Sequence, residues 1–104
     1  MTKYIMVTTT TDNEEEAKKI IDALLEKRLV SCCQLSPIHS KYYWHNKKEE
    51  ADEYIIHMKT KKTLYKEIED VIVSIHSYDV PQIVAYDIQE GLDSYLKWIG
   101  EETK

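Results

Sequence analysis

The stretch from Ser31 to Thr60 constrains this chain most, because two apolar arms there flank a polar tip at His45-Asn46-Lys47-Lys48. The first arm climbs through Cys32, Leu35, Ile38, Tyr42 and Trp44, and the second descends through Tyr54, Ile55, Ile56 and Met58. The pattern predicts one long antiparallel hairpin whose arms exceed the usual strand of about five or six residues. An edge this long and aromatic is a template for pairing with another chain. Each of Tyr42, Tyr43 and Trp44 gains roughly 1.5 to 3 kcal/mol if fully buried. Self-association is therefore expected from the hairpin alone.

Before the hairpin, Lys3 to Thr9 is β-branched and apolar on both faces, which predicts a central strand. The pattern breaks at Thr10-Thr11-Asp12-Asn13, where Asp12 and Glu15 have capping-box spacing. A helix is expected over about Asn13 to Leu29, with Ala17, Ile20, Ile21, Leu24 and Leu29 on one face. Acidic residues fill its first turn, and Lys27 and Arg28 its last, as the helix dipole favours. Pro37 predicts a bend or bulge in the first arm, and Asn46 is the tip residue best suited to positive φ.

Beyond Thr60 a second helix opens near Lys62 or Thr63 and ends before Ser77, with Leu64, Ile68, Val71, Ile72 and Ile75 as its stripe. Pro81 leads into an edge strand over Ile83 to Ile88, Gly91 breaks it, and a terminal helix runs from Leu92 to about Thr103. The order β-α-β-β-α-β plus a helix predicts an α+β, ferredoxin-like sandwich with both crossover helices on one sheet face. Residues 1–104 are expected to form a single domain. The second sheet face is left without a helix, which again asks for self-association.

Composition narrows the functional classes. The net charge is −5 and Arg28 is the sole arginine, a balance opposite to that of a nucleic-acid binder. No stretch approaches the roughly 18 apolar residues of a membrane helix, and no basic leader precedes Tyr4, so the cytoplasm is the expected compartment. Adjacent cysteines on a strand point to opposite faces, which excludes a disulfide framework. Two glycines provide no phosphate-cradling loop. The Lys59-Lys61-Lys62 cluster is a solvated corner or an anion site.

Several runs together resemble the CutA family of divalent-cation tolerance proteins: Arg28-Leu29-Val30-Ser31-Cys32; Ser40, Tyr42, Trp44 and Lys47; Lys59-Thr60; His76 with Tyr78-Asp79-Val80-Pro81; and Tyr95-Leu96 with Trp98-Ile99. Their order and spacing match nearly the whole chain. The resemblance implies a PII-like homotrimer with hairpins crossing between subunits, no enzymatic reaction, and a role in tolerance of copper or another divalent cation. It also implies copper binding in intersubunit clefts near His76. Where the family usually has an acidic residue, this chain has Gln82. Thr9 stands where some members carry cysteine, and Ile75 supplies no second imidazole.

Candidate metal ligands are His76, Cys32 and Cys33, since thiolate and imidazole suit copper(I). The structural alternatives are a helix-terminal role for His76 and small buried packing for Cys32. Lys59 and Tyr78 are candidates to line a ligand cleft with His76. Tyr42, Tyr43, Trp44 and Trp98 are expected at a trimer interface. A PII-like small-ligand module is the competing reading. An acylphosphatase-like enzyme lacks its expected parts, since Thr9-Thr10-Thr11-Asp12 has neither glycine nor arginine.

Overall fold

A computed structural model describes residues 3–104. Strands β1 (Tyr4–Thr11), β2 (Cys32–Trp44), β3 (Lys47–Lys61) and β4 (Ile83–Asp87) form one antiparallel sheet in the order β2-β3-β1-β4. Helices α1 (Glu14–Glu26) and α2 (Tyr65–Ile75, entered through a 3-10 turn at Lys62–Leu64) pack on one face, and α3 (Asp93–Glu102) follows β4. This is the expected ferredoxin-like α+β arrangement. The core lies between the sheet and the two helices. Ile5, Val7, Ile56 and Met58 meet Ile20, Leu24, Ile68 and Ile72 there, with all but Ile5 fully buried.

β1 is central, as its two-sided apolar pattern predicts, but it continues through Thr10 and Thr11, which are also buried. Threonine is β-branched and at home on a pleated surface, so the polar run did not end the strand. The α1 cap is correspondingly one residue later than the Asp12–Glu15 pairing predicted. Asn13 takes the extended cap conformation and its Oδ1 accepts the Glu16 N–H at 3.0 Å. Nor does the helix reach Leu29. It closes in a Schellman motif, with Leu29 N–H to Leu24 O and Arg28 N–H to Leu25 O, both 3.0 Å, and Arg28 in the left-handed region at φ 57. Leu29 is thus the apolar anchor after the helix, fully buried.

The predicted hairpin is present and its register is unbroken from Cys32↔Lys59 to Trp44↔Lys47. The turn is two residues, His45 and Asn46, at φ 49 and 65, the signs of a type I′ turn. Lys47 and Lys48 belong to β3 rather than to the tip. Pro37 makes no bulge. Counting in twos from the turn-closing pair leaves it at a non-hydrogen-bonded position of an edge strand, where its missing N–H faces outward.

β1 pairs only with Tyr54 to Lys61 of β3, so the arm formed by Ile38–Trp44 and Lys47–Glu53 projects beyond the body. That is roughly 23 Å of two-stranded ribbon, and the chain measures 44 × 26 × 22 Å. The second sheet face is not wholly bare. α3 caps one end of it, with Gly100 close to the Tyr4 hydroxyl, Lys61 Nζ donating to the Thr103 and Lys104 carbonyls, and Ile99 fully buried.

Candidate functional site

Where α2 ends, the chain turns back over the end of β1, and His76 is the pivot. Its side chain is fully buried. Nε2 lies 2.7 Å from the Thr10 carbonyl, and Nδ1 accepts the Tyr78 N–H at 3.1 Å. A carbonyl only accepts and an amide N–H only donates, so the ring is the neutral Nε2–H tautomer with both nitrogens engaged. Glu16, reaching over from the first turn of α1, takes bonds from Thr11 Oγ1 (2.6 Å), the Ser77 N–H (3.0 Å) and Ser77 Oγ (3.2 Å). Burial works to raise the Glu16 pKa. The Thr11 and Ser77 hydrogen bonds outweigh it and hold the carboxyl below its ordinary value.

These bonds fix Tyr78, whose ring lies against His76 at 4.7 Å and whose hydroxyl donates to Glu53 Oε2 at 2.7 Å. Burial, then the adjacent Glu53 carboxylate, pushes the Tyr78 phenol up from its usual value. Glu53 is only 7% exposed. It floors a cleft of about 790 Å³ between the projecting arm and the segment after α2, lined by Thr10, Tyr42, Trp44, Tyr78, Asp79 and Gln82 among others.

The expected metal ligands do not meet within one chain. Cys33 faces the core, and burial, then Cys32 and Asp22, pushes its thiol up to about 12, leaving it protonated at neutral pH. Cys32 leaves on the opposite face, as adjacent strand residues must. It pairs with Lys59 and so with the level of Met6, whereas His76 sits at Thr10. Four residues of strand separate those levels, roughly 13 Å. Among the described residues no group of three or more His, Cys, Asp or Glu is arranged to hold a metal ion. These side chains alone therefore do not fit a copper centre.

Lys59 is also apart from the cleft. Its Nζ donates to Gln34 Oε1 at 2.7 Å, and Glu53 lies six residues along β3, roughly 20 Å away. Tyr42, Tyr43 and Trp44 on the arm are 44%, 70% and 41% exposed, and Trp98, stacked on Tyr95 at 5.6 Å, is 38% exposed. His39, without a recognisable partner in the sequence, is held between Asp52 (2.8 Å) and Glu50 (2.7 Å) on the arm. His57 bonds Thr8 Oγ1 at 3.0 Å.

Sequence reasoning missed Glu53 and Glu16. Glu53 belongs to the run Glu49-Glu50-Ala51-Asp52-Glu53, which by charge alone is a solvated face. The available signal was parity: Glu53 pairs with Ile38, on the face carrying Tyr42 and Trp44.

The sequence profile described as CutA1 divalent ion tolerance protein matches residues 5–102. The divalent-cation tolerance protein CutA of Pyrococcus horikoshii is 39% identical over 87 residues, covering 84% of this chain and 85% of that protein. Human protein CutA is 38% identical over 88 residues, 84% of this chain but 49% of the human protein. Among solved structures, the periplasmic divalent cation tolerance protein CutA from Archaeoglobus fulgidus superposes with TM-score 0.94 at 36% identity, over 97% of this chain and 99% of that one.

Proposed function

Because the chain belongs to the CutA1 divalent ion tolerance family, we propose that it serves divalent-cation tolerance as a non-enzymatic homotrimer assembled through its long hairpin, in the cytoplasm. The observation that carries the assembly is the free arm. Residues 41–50 are all exposed in the single chain, on both faces of the ribbon. A lone two-stranded hairpin is at best marginally stable in water. Covering Tyr42, Tyr43 and Trp44 with neighbouring subunits, and Trp98 with them, removes that liability. The edge strands β2 and β4 offer unpaired backbone for the same purpose.

Copper or another divalent cation belongs, in this reading, to the clefts between subunits. His76, Cys32 and Cys33 make no chelate inside one chain, so cation binding draws on groups from more than one subunit. Calorimetric titration with Cu(I) and Cu(II) tests this. Saturable binding is expected for the assembled protein and none for a hairpin-shortened monomer. Equal affinity in the monomer would contradict the intersubunit site, and unchanged affinity in His76→Ala would remove His76 from it.

A second reading, a PII-like trimer that binds a small ligand with metal incidental, is favoured by one observation. The Glu53–Tyr78 cleft is built from a single chain and keeps a buried carboxylate at its floor.

A further inference from the structure

His39 stands on the projecting arm with a carboxylate at each ring nitrogen. Nδ1 lies 2.8 Å from Asp52 Oδ1, and Nε2 lies 2.7 Å from Glu50 Oε2. Ionised carboxylates only accept hydrogen bonds, so both nitrogens carry a proton and the ring is an imidazolium. Asp52 is the cross-strand partner of His39, and Glu50 lies two residues along β3 toward the tip. By the count from the turn-closing pair, His39 and Asp52 form a non-hydrogen-bonded pair, the kind whose facing side chains approach most closely. One charged ring therefore spans two levels of the ribbon and ties β2 to β3 where no third strand supports them.

The surrounding charges favour the same state. The Asp52 bond, then the Glu50 bond, outweighs burial and holds the His39 pKa above its ordinary 6.5. Alternation along the strands puts Lys41, Tyr43, Lys48 and Tyr54 on the same face of the arm. Lys41 stands opposite Glu50, yet the Glu50 carboxylate reaches His39 instead. Asp79, from the segment after α2, and Glu53, from the other face of β3, border the same cavity as His39. Both are carboxylates, so neither favours loss of the proton.

We propose that His39 is a proton-operated staple of the arm: charged, it joins the two strands and offsets Glu50 and Asp52 when neighbouring subunits cover them, so that assembly tightens on acidification and loosens in alkali. The inference rests on the assembly through the arm proposed above. Covering the arm strips water from both carboxylates, and a carboxylate buried without its partner is costly. The attraction to the imidazolium strengthens as that water leaves. Because the folded pKa is raised, the contribution is full below 6.5 and is lost as pH rises through the folded value. Once the ring is neutral, Lys41 still stands opposite Glu50, whereas Asp52 has no other cation opposite it.

Imidazole NMR across pH, with sedimentation equilibrium in graded urea at pH 6 and pH 9, tests this on the full chain. Wild type, His39→Gln and His39→Arg are compared, and circular dichroism checks each fold. The His39 ring is expected to titrate above 6.5. An exposed ion pair contributes about a factor of two or more in an equilibrium constant, so over three arms the wild-type trimer dissociation constant should rise about tenfold more between the two pH values than that of His39→Gln. His39→Gln keeps His45, His57 and His76, so any pH effect of theirs is common to both proteins. His39→Arg cannot lose its charge and should keep the tighter assembly at pH 9. A ring that titrates at or below 6.5, or equal pH dependence in wild type and His39→Gln, would overturn the inference. The two ideas fail differently. A trimer with either of those results overturns the staple and leaves assembly standing; a wild type monomeric at both pH values overturns assembly and its proton link together.

Discussion

Glu16 ties the start of α1 and the neighbouring end of β1 to the turn at Ser77, 61 positions on. Its side chain is 13% exposed and joins the end of β1 through Thr11 to the turn after α2 through Ser77. Removing it leaves the Ser77 N–H and the Thr11 hydroxyl without their acceptor. Glu16→Ala should therefore cost about 2 to 3 kcal/mol at pH 7, since hydrogen bonds to charged groups are among the stronger ones, as read by urea denaturation. The pH dependence follows from the lowered pKa. The folded value lies below the ordinary 4.5, so the contribution is full above 4.5 and fades as pH falls through the folded value. The gap between wild type and Glu16→Gln should thus narrow on acidification. A gap that widened would contradict the assignment. His76 acts in the same network as a positioning residue for Tyr78, through the bond from the Tyr78 N–H to its Nδ1.

Among the elements, the hairpin was the most legible in the sequence, and its tip shows why. Alternating apolar and aromatic residues over two long arms, with Asn46 between them, leave few other folds for the segment. The left-handed conformation of Asn46 follows from the short polar side chain that tolerates it. Asn46→Val should cost about 1 to 2 kcal/mol, because a β-branched apolar side chain meets the left-handed clash without the local hydrogen bonding that offsets it for Asn, and Asn46→Gly should be neutral or stabilising in thermal unfolding. Element ends were less legible. Thr10 and Thr11 satisfy both a strand and a turn by composition, and burial next to β3 decided for the strand. Arg28 is chemically a last-turn helix residue, yet it takes the left-handed position that glycine usually fills. Its backbone is held there by the Schellman bonds, and its side chain reaches Glu102 at 2.9 Å on α3. No local pattern encodes that contact across the whole chain.

For the whole molecule, the fold was recoverable because the element order admits one simple right-handed topology. The cleft was not, because its parts depend on strand parity and on where the segment 76–80 lands. Glu53, Tyr78 and Thr10 come from three separate elements, and only register brings them together. What joins fold to function is the arm that projects beyond β1 with both its faces exposed. The mass of the protein in solution, by sedimentation equilibrium at micromolar concentration, tests this claim most directly, with a variant shortened between Tyr43 and Asp52 beside it. The account predicts three times the 12.3 kDa chain mass for the wild type, and monomers or aggregates for the variant. A monomeric wild type, or a shortened variant that remains a stable trimer, would contradict it.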